Sequence, residues 1–302
     1  MSTMLLALMM QYVVSAKAGL INHVEGFTNV RANQIVQEMA PIRSGPNSSV
    51  EILLTPGSYL RLGAQSEAVI ENADIAHVKV RIVSGQAIIE VVELSSKFPI
   101  LVTSAKTQVE LTETGLFRFT DGTVAIIEGK LKTVGDVATT YKKGWEVSYS
   151  TNYRASKISN LQFTSLDMFS RKRSEMLANA SASLIATVQR ASYSPYNPFW
   201  LYSPGFGAMV YIPLRDIRTP YGYRYYGLGF PSNGGRTTQT ANGNTNNNQT
   251  PQANGNSNNP GGGNFSSGGE RTFSTPGGGE RQTVGEYQER KNPSVPAGPP
   301  TP

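Results

Sequence analysis

The sequence predicts an all-β domain of jelly-roll, β-helix-like or sandwich type, followed by one amphipathic helix, an aromatic Gly/Pro-rich segment and a disordered C-terminal tail. Three observations predict this. From about Val50 to Tyr149 apolar and polar residues alternate in short runs, such as VEILL, SYLRL, VKVRIV and AIIEVV, which is the period of a strand. Turn signals separate these runs: Pro56-Gly57, Gly63, Asn72–Asp74, Ser84-Gly85, Lys97–Pro99, Asp121-Gly122, Glu128-Gly129 and Lys143-Gly144. Beyond residue 231 the chain is Asn, Gly, Pro, Ser and Thr with almost no aliphatic residues, so it cannot bury enough apolar surface to offset the entropy of ordering.

The N-terminus comes first. Met4–Val14 is apolar and is followed by small residues at Ser15, Ala16 and Ala18. The run is too short to span a bilayer and fits the apolar core of a signal peptide over residues 1–18. The expected location is therefore periplasmic or extracellular. The flank Met-Ser-Thr carries no Lys or Arg, which departs from the usual signal pattern. No later stretch reaches the roughly 18 apolar residues of a transmembrane helix.

Residues 19–153 form the predicted β domain. Ala18–Arg31 reads as an opening strand pair that turns near Glu25-Gly26, and Ser44–Ser48 as a loop. Asp121-Gly122 suits a two-residue hairpin, because that turn needs positive φ. Within residues 160–192 the period changes. Leu166, Phe169, Arg173, Met176/Leu177, Ala180, Leu184 and Val188 recur at three- and four-residue steps, as on one face of a helix. Ser165 and Asp167 mark its start. Residues 193–230 hold 12 of the chain's 27 aromatics. They either lie back on the β domain or form an exposed contact face, for which Tyr and Trp suit by their apolar bodies and polar tips. Residues 231–302 read as a spacer, with Gly268–Arg271 echoed at Gly278–Arg281.

Composition narrows the chemistry. The chain has no cysteine and two histidines, His23 and His77. Disulfides, thiolate metal sites and Cys nucleophiles are excluded, and no metal site, cofactor site or catalytic residue is assigned. The only catalytic chemistry left is a carboxylate pair of glycosidase type. Glu90 with Glu93, and Asp121 with Glu128, are the candidate pairs for a carbohydrate-active hydrolase; their spacing is that of ordinary turn acids. The formal charge of +6 is uneven. Lys17–Tyr153 carries 13 Lys and Arg against 14 Asp and Glu, whereas Arg154–Arg224 carries 9 against 3. The basic segment could meet an acidic partner, a phospholipid surface or nucleic acid, or be a solvated helix face. The candidate contact surface is Arg171, Lys172, Arg173, Tyr196, Phe199, Trp200, Tyr202, Tyr223, Tyr225 and Tyr226.

The strand array resembles the FecR domain, named after the periplasmic ferric-citrate sensor. Leu54-Thr55-Pro56-Gly57-Ser58-Tyr59-Leu60-Arg61-Leu62 carries the first part of the pattern, and Val80–Val91 the second. Phe98–Thr103 with Thr114–Phe119 carries the third, with Thr and Gly in swapped order. Val124–Leu131 is similar to the family hairpin and Tyr141–Val147 to its close. The pattern glycines Gly57, Gly85, Gly115, Gly129 and Gly144 are read as structural turns needing positive φ or close backbone approach. The resemblance covers about a third of the chain. Signalling members have an anti-sigma segment and a transmembrane helix before this domain, and neither is seen here; the likeness is to stand-alone exported members. It implies a non-catalytic envelope protein whose β domain is a scaffold or binding module. The partner would be another envelope protein or polysaccharide, with self-association through the helix as a further expectation. The alternatives are a signal-sensing partner of a membrane or sigma-factor system, and nucleic-acid binding through the basic helix, which export would disfavour.

Overall fold

The alternation dictates two apolar-faced sheets, and the computed structural model has them. It describes residues 17–95, 97–105, 107–120, 122–135, 138–148, 154–159, 162–190 and 197–229. The expected signal peptide lies almost wholly outside these residues; the tail and Tyr196 lie entirely outside. In chain order the first strands are β1 (Leu20–Glu25), β2 (Pro41–Arg43), β3 (Ser49–Leu53), β4 (Ser58–Leu62), β5 (Glu67–Asn72), β6 (Lys79–Ser84) and β7 (Ala87–Val91). Then come β8 (Ile100–Ser104), β9 (Thr107–Leu111), β10 (Gly115–Thr120), β11 (Thr123–Glu128), β12 (Lys130–Val134), β13 (Thr140–Lys142), β14 (Trp145–Ser148) and β15 (Arg154–Lys157). After them lie a helix, α1 (Ser165–Arg190), and two short hairpins, β16 (Phe199–Ser203) with β17 (Ala208–Ile212), and β18 (Ile217–Arg218) with β19 (Arg224–Tyr225).

One sheet has the order β1-β3-β4-β7-β10-β11-β14-β15 and the other β13-β12-β9-β8-β6-β5-β2. The chain changes sheet after nearly every hairpin: β3–β4, β5–β6, β8–β9, β10–β11, β12–β13 and β14–β15 alternate between the two. This is why the turn signals recur so evenly. The pair β6–β8 is parallel, because the intervening β7 lies in the opposite sheet. Every other pair is antiparallel.

The two sheets share one apolar core. Ile52, Leu60, Leu62, Ile89, Phe117, Phe119 and Ile126 from the eight-stranded sheet meet Ile42, Ile70, Val80, Ile100, Val102, Leu111 and Leu131 from the other. Among the expectations for the fold, the sandwich is the one found.

Turn chemistry fixes the register at two places. In the β3–β4 turn Ser58 N–H donates to Thr55 O (2.7 Å). Pro56 supplies the second position, and Gly57, at φ 85°, the third, the arrangement of a type II turn. Between β11 and β12 Gly129 has φ 86°, and a Cβ there would sit 2.8 Å from Gly115 Cα and against the Thr114 carbonyl. Gly115 itself lies where a Cβ would meet the Phe117 ring and Glu128 O. Two adjacent backbones thus need each other's glycine. Gly85 and Gly144 also have positive φ, 78° and 83°.

The edges at β1 and β2 are covered. Backbone bonds from Asn33 to Ile21 O (2.7 Å) and from Val36 to Gly19 O (3.0 Å) cover the outer edge of β1. Asn29 does the same for β2, its side-chain amide donating to Pro41 O (2.8 Å) and its carbonyl accepting from Arg43 N (2.7 Å).

Candidate functional site

The outer face of the eight-stranded sheet is where charged side chains gather. Alternation along β3, β4 and β7 turns Glu51, Arg61 and Glu90 away from the sandwich core. Glu51 lies directly opposite Arg61, and Arg61 sits two residues along from Tyr59, the partner of Glu90. On a solvent-facing sheet this would be an ordinary ladder. Here all three are 0% exposed, because α1 and the β16–β19 hairpins cover them.

The sequence builds this cover locally. Thr164 caps α1: Asp167 Oδ2 accepts from Thr164 N (2.7 Å) and Thr164 Oγ1 from Asp167 N (3.4 Å), a reciprocal capping box. Asp167 also pairs with Arg118 of β10 (3.0 Å), which ties the helix start to the sheet. The buried face of α1 includes Ser170, Arg173, Ser174, Leu177, Ser181, Ile185 and Val188. Of the stripe read in the sequence, Leu166, Phe169, Arg173, Leu177 and Val188 are buried, and Ala180 and Leu184 pack part-buried beside them. Met176 is 36% exposed, so Leu177 is the one of the pair that faces inward. Ser170, Ser174 and Ser181 join that face. The physical reason is that the sheet presents charges, so the helix answers with hydroxyls and a guanidinium.

The resulting network is closed. Arg61 Nε donates to Glu51 Oε2 (2.8 Å), and its Nη1 to Glu90 Oε2 (2.6 Å) and Ser170 Oγ (2.8 Å). Arg173 donates twice to Glu51 Oε1, at 2.8 and 3.3 Å. Ser174 Oγ donates to Glu90 Oε1 (2.6 Å) and Tyr221 Oη to Ser170 Oγ (2.9 Å). Asn22 Nδ2 donates to Glu51 (2.9 Å) and Met209 O (3.1 Å), while its carbonyl accepts from Met209 N (2.7 Å). Two carboxylates and two guanidiniums balance in charge. Arg61 Nη2 is the atom of this group left without a partner.

The environment separates the two acids. Burial alone would raise Glu51, but Arg173 and Arg61 beside it bring its pKa down to about 2. Burial raises Glu90 above its ordinary value, because Arg61 and the Ser174 hydroxyl only partly offset it. Burial would lower Arg61, yet Glu90 and Glu51 outweigh that and its pKa lies above the ordinary value. Glu51 is therefore held as a carboxylate by two cations, whereas Glu90 has one cation and a hydroxyl.

An aromatic cluster seals the network. Trp200 packs edge-on against Tyr59 (5.1 Å) and Tyr211 (5.8 Å), and Tyr211 against Tyr225 (5.5 Å). The Tyr59 and Tyr225 hydroxyls are 3.0 Å apart, and Tyr211 Oη donates to Glu93. Leu53, Tyr59 and Val92 of the β-body join Leu177, Ile185, Trp200, Val210 and Tyr225 of the cover in one apolar cluster. The described part of the aromatic segment thus lies back on its own domain.

This placement corrects the expected contact surface. Arg173, Trp200 and Tyr225 are buried, at 3%, 4% and 0% exposure, and so belong to no exposed face. Phe199, Tyr202 and Tyr223 are half-buried, while Arg171, Lys172 and Tyr226 are exposed. Sequence reasoning missed Glu51, Arg61, Asn22, Ser170 and Ser174. Their signal was VEILL, SYLRL and AIIEVV, which are apolar at both parities around each charge, the pattern of strands buried on both faces. Of the candidate hydrolytic acids, Glu90 bonds to Arg61 and Ser174, Glu93 accepts from Tyr211, and Glu128 pairs with Lys143 (2.6 Å). Asp121 lies outside the described residues. Among the described residues no group of His, Asp or Glu has the arrangement of a metal site, and no helix is long and apolar enough to cross a membrane.

The geometry defines a class: an all-β sandwich with a helix-and-hairpin cap fastened over one sheet by buried charges. Within the β-body, residues 40–132 match the family model described as FecR protein. That span includes Glu51, Arg61 and Glu90 but not the cap. No curated protein matches the chain. Two crystal structures of candidate anti-sigma factors from Parabacteroides distasonis ATCC 8503 are similar. The first, at 1.65 Å, is 13% identical with a TM-score of 0.34, and the match covers 57% of this chain and 83% of that one. The second, at 2.50 Å, is 11% identical with a TM-score of 0.34, covering 57% and 97%.

Proposed function

We propose that this chain is a non-catalytic, exported envelope protein whose FecR domain is a binding module for a protein partner in a regulatory system. One observation carries the non-catalytic reading. The described carboxylates with altered acidity inside the fold are locked into the bonds that fasten the cap. Glu51 and Glu90 face guanidiniums and hydroxyls of their own chain, not a cleft. A shifted pKa in a closed, charge-balanced network is the mark of structure as often as of catalysis. The FecR match supports the regulatory side of the reading. The apolar run at Met4–Val14, followed by small residues, supports export.

Two measurements test it. The first is the N-terminal mass of the protein recovered from fractionated cells. A chain beginning at Lys17 or Gly19 outside the cytoplasm is expected, and an intact Met1 in the cytosol overturns export. The second compares transcript levels in cells with and without the protein. A confined set of genes that changes, and is restored by the wild-type chain, is expected. An unchanged profile overturns the regulatory role and leaves a scaffold.

A further inference from the structure

Most cations along the sandwich strands have a carboxylate. Arg43 pairs with Glu67 (2.8 Å), Lys79 and Arg81 with Glu71 (3.1 and 2.9 Å), Lys130 with Glu113 (3.3 Å), Lys132 with Glu110 (3.7 Å) and Lys143 with Glu128. The cap differs. Arg171 donates to the Tyr223 hydroxyl (3.2 Å) and Arg218 to Gly222 O (3.0 Å). Among the described residues neither of them, nor Lys172, forms an ion pair with a carboxylate. Arg218 and Arg224 stand directly opposite each other across β18–β19, a like-charge pairing that disfavours the hairpin. Asp216 serves Arg224, and Glu175 lies near Arg171. Four cations thus share two acids on one contiguous surface, joined through Tyr223 and its turn.

Apolar side chains lie exposed on α1, just before it, and beside Arg224. Met168 is 65% exposed and Phe163 74%. Met168 precedes Arg171 and Lys172 by three and four residues, so all three share a face of α1. Tyr226, 42% exposed, lies under the Arg224 guanidinium (4.7 Å).

We infer that this face of the cap docks on an anionic lipid surface, with Arg171, Lys172, Arg218 and Arg224 meeting phosphate headgroups and Met168 and Phe163 entering the acyl boundary. Charge argues against the other occupants. A second copy would bring the same cations face to face. The chain after Arg224 carries 5 Lys and Arg against 4 Asp and Glu, too balanced to neutralise the patch. A polysaccharide or nucleic acid could stack on Phe163 but gains little from an exposed Met168, whereas cations rimmed by apolar side chains are the pattern of interfacial binding. The inference deepens the reading of the chain as a binding protein by adding the surface on which it would work.

The test is flotation of the full chain with vesicles of phosphatidylcholine, and with vesicles in which part of it is replaced by phosphatidylglycerol. Binding to the anionic vesicles alone, weakening as salt rises, is expected. Each neutralised cation should cost about fivefold in partitioning, so the double variant R171Q/K172Q should lose roughly 25-fold. M168S should weaken vesicle binding while leaving the salt dependence in place. These side chains are exposed, and unchanged far-ultraviolet circular dichroism would show that the variants fold. Equal flotation with both vesicle types, or R171Q/K172Q binding as wild type does, overturns the inference. So does tight binding of a single-stranded oligonucleotide by a chain that ignores vesicles. If vesicle binding fails while the transcript response persists, this inference falls alone; the reverse result removes the regulatory reading and keeps the lipid surface.

Discussion

Arg171, Lys172 and Arg173 are consecutive cations that the sequence cannot rank, and the structure ranks them sharply. Arg173 makes two bonds to Glu51, at 2.8 and 3.3 Å. Its side chain is 4% exposed, and its guanidinium lies 5.0 Å over the Phe206 ring. Arg173→Met keeps much of the apolar stem but leaves Glu51 with Arg61 as its one remaining cation. The network then carries an uncompensated buried negative charge. Breaking a buried pair in this way costs about 3–5 kcal/mol. Arg171→Met, two residues away, removes an exposed bond to Tyr223 and should stay within about 0.5 kcal/mol of wild type. The assay is urea unfolding followed by tryptophan fluorescence. The chain has two tryptophans: Trp200 reports on the cap and Trp145 on the β-body. For a domain of this size each kcal/mol is worth about 2–4 °C in melting temperature, so Arg173→Met should melt roughly 10 °C lower. Equal stabilities for the two variants would refute the claim that Arg173 fastens the cap.

Three further outcomes follow from the same contacts. Acid should weaken the protein through Glu51: its folded pKa lies below the ordinary carboxylate value, so its stabilisation is present above that range and is lost as pH falls toward about 2. The span is worth about 3 kcal/mol. Glu90 is shifted the other way, so its contribution declines as pH rises through its folded value, and urea titrations of Glu51→Gln from neutral to acid pH should show a flatter acid limb than wild type. Tyr59→Phe removes a bond to a Tyr225 hydroxyl that is 0% exposed and should cost about 1–3 kcal/mol in urea midpoint analysis. Gly129→Ala combines φ 86° with a Cβ driven against Gly115 and the Thr114 carbonyl; it should lower stability by at least about 1–2 kcal/mol, seen as a reduced melting temperature.

The sandwich was readable because its signals are local. Period-two alternation and turn residues such as Pro56-Gly57 act over a few neighbours, so each hairpin announces itself. The alternation of hairpins between sheets was not readable, because it depends on which strands meet at long range. The cap was half readable. The 3.6-residue period located the helix and most of its inward face, Arg173 and Leu177 included, but apolarity as a guide to burial passes over the serines beside them. That guide fails where the opposing surface is polar: Ser170, Ser174 and Ser181 face inward because Arg61 and Glu90 are there to receive most of them. Exposed Phe163 and Met168 fail it in the other direction. They occupy the positions just before the cap residue and one turn into the helix, where a hydrophobic staple would stand.

A buried, charge-balanced quartet need not stabilise a fold at all. Desolvating two carboxylates and two guanidiniums costs about as much as their attraction returns, and apolar replacements of similar volume are often neutral or better by about 1–4 kcal/mol. The single substitution at Arg173 and the replacement of the whole group therefore have opposite expected signs. Changing Glu51, Arg61, Glu90 and Arg173 together to Met or Leu, with Ser174→Ala so that no hydroxyl loses its acceptor, should give a melting temperature at or above wild type. What such a protein should lose is the single seating of the cap. Arg173 reaches Glu51 through two donors, and Ser174 reaches Glu90 from the next position, so α1 can neither slide by a turn nor rotate without breaking both. An apolar interface lacks that restriction. Amide exchange along α1 would separate the two effects, with faster exchange at unchanged melting temperature expected in the apolar variant. Slow, wild-type exchange there would mean that the aromatic cluster around Trp200, rather than the charges, sets the register of the cap.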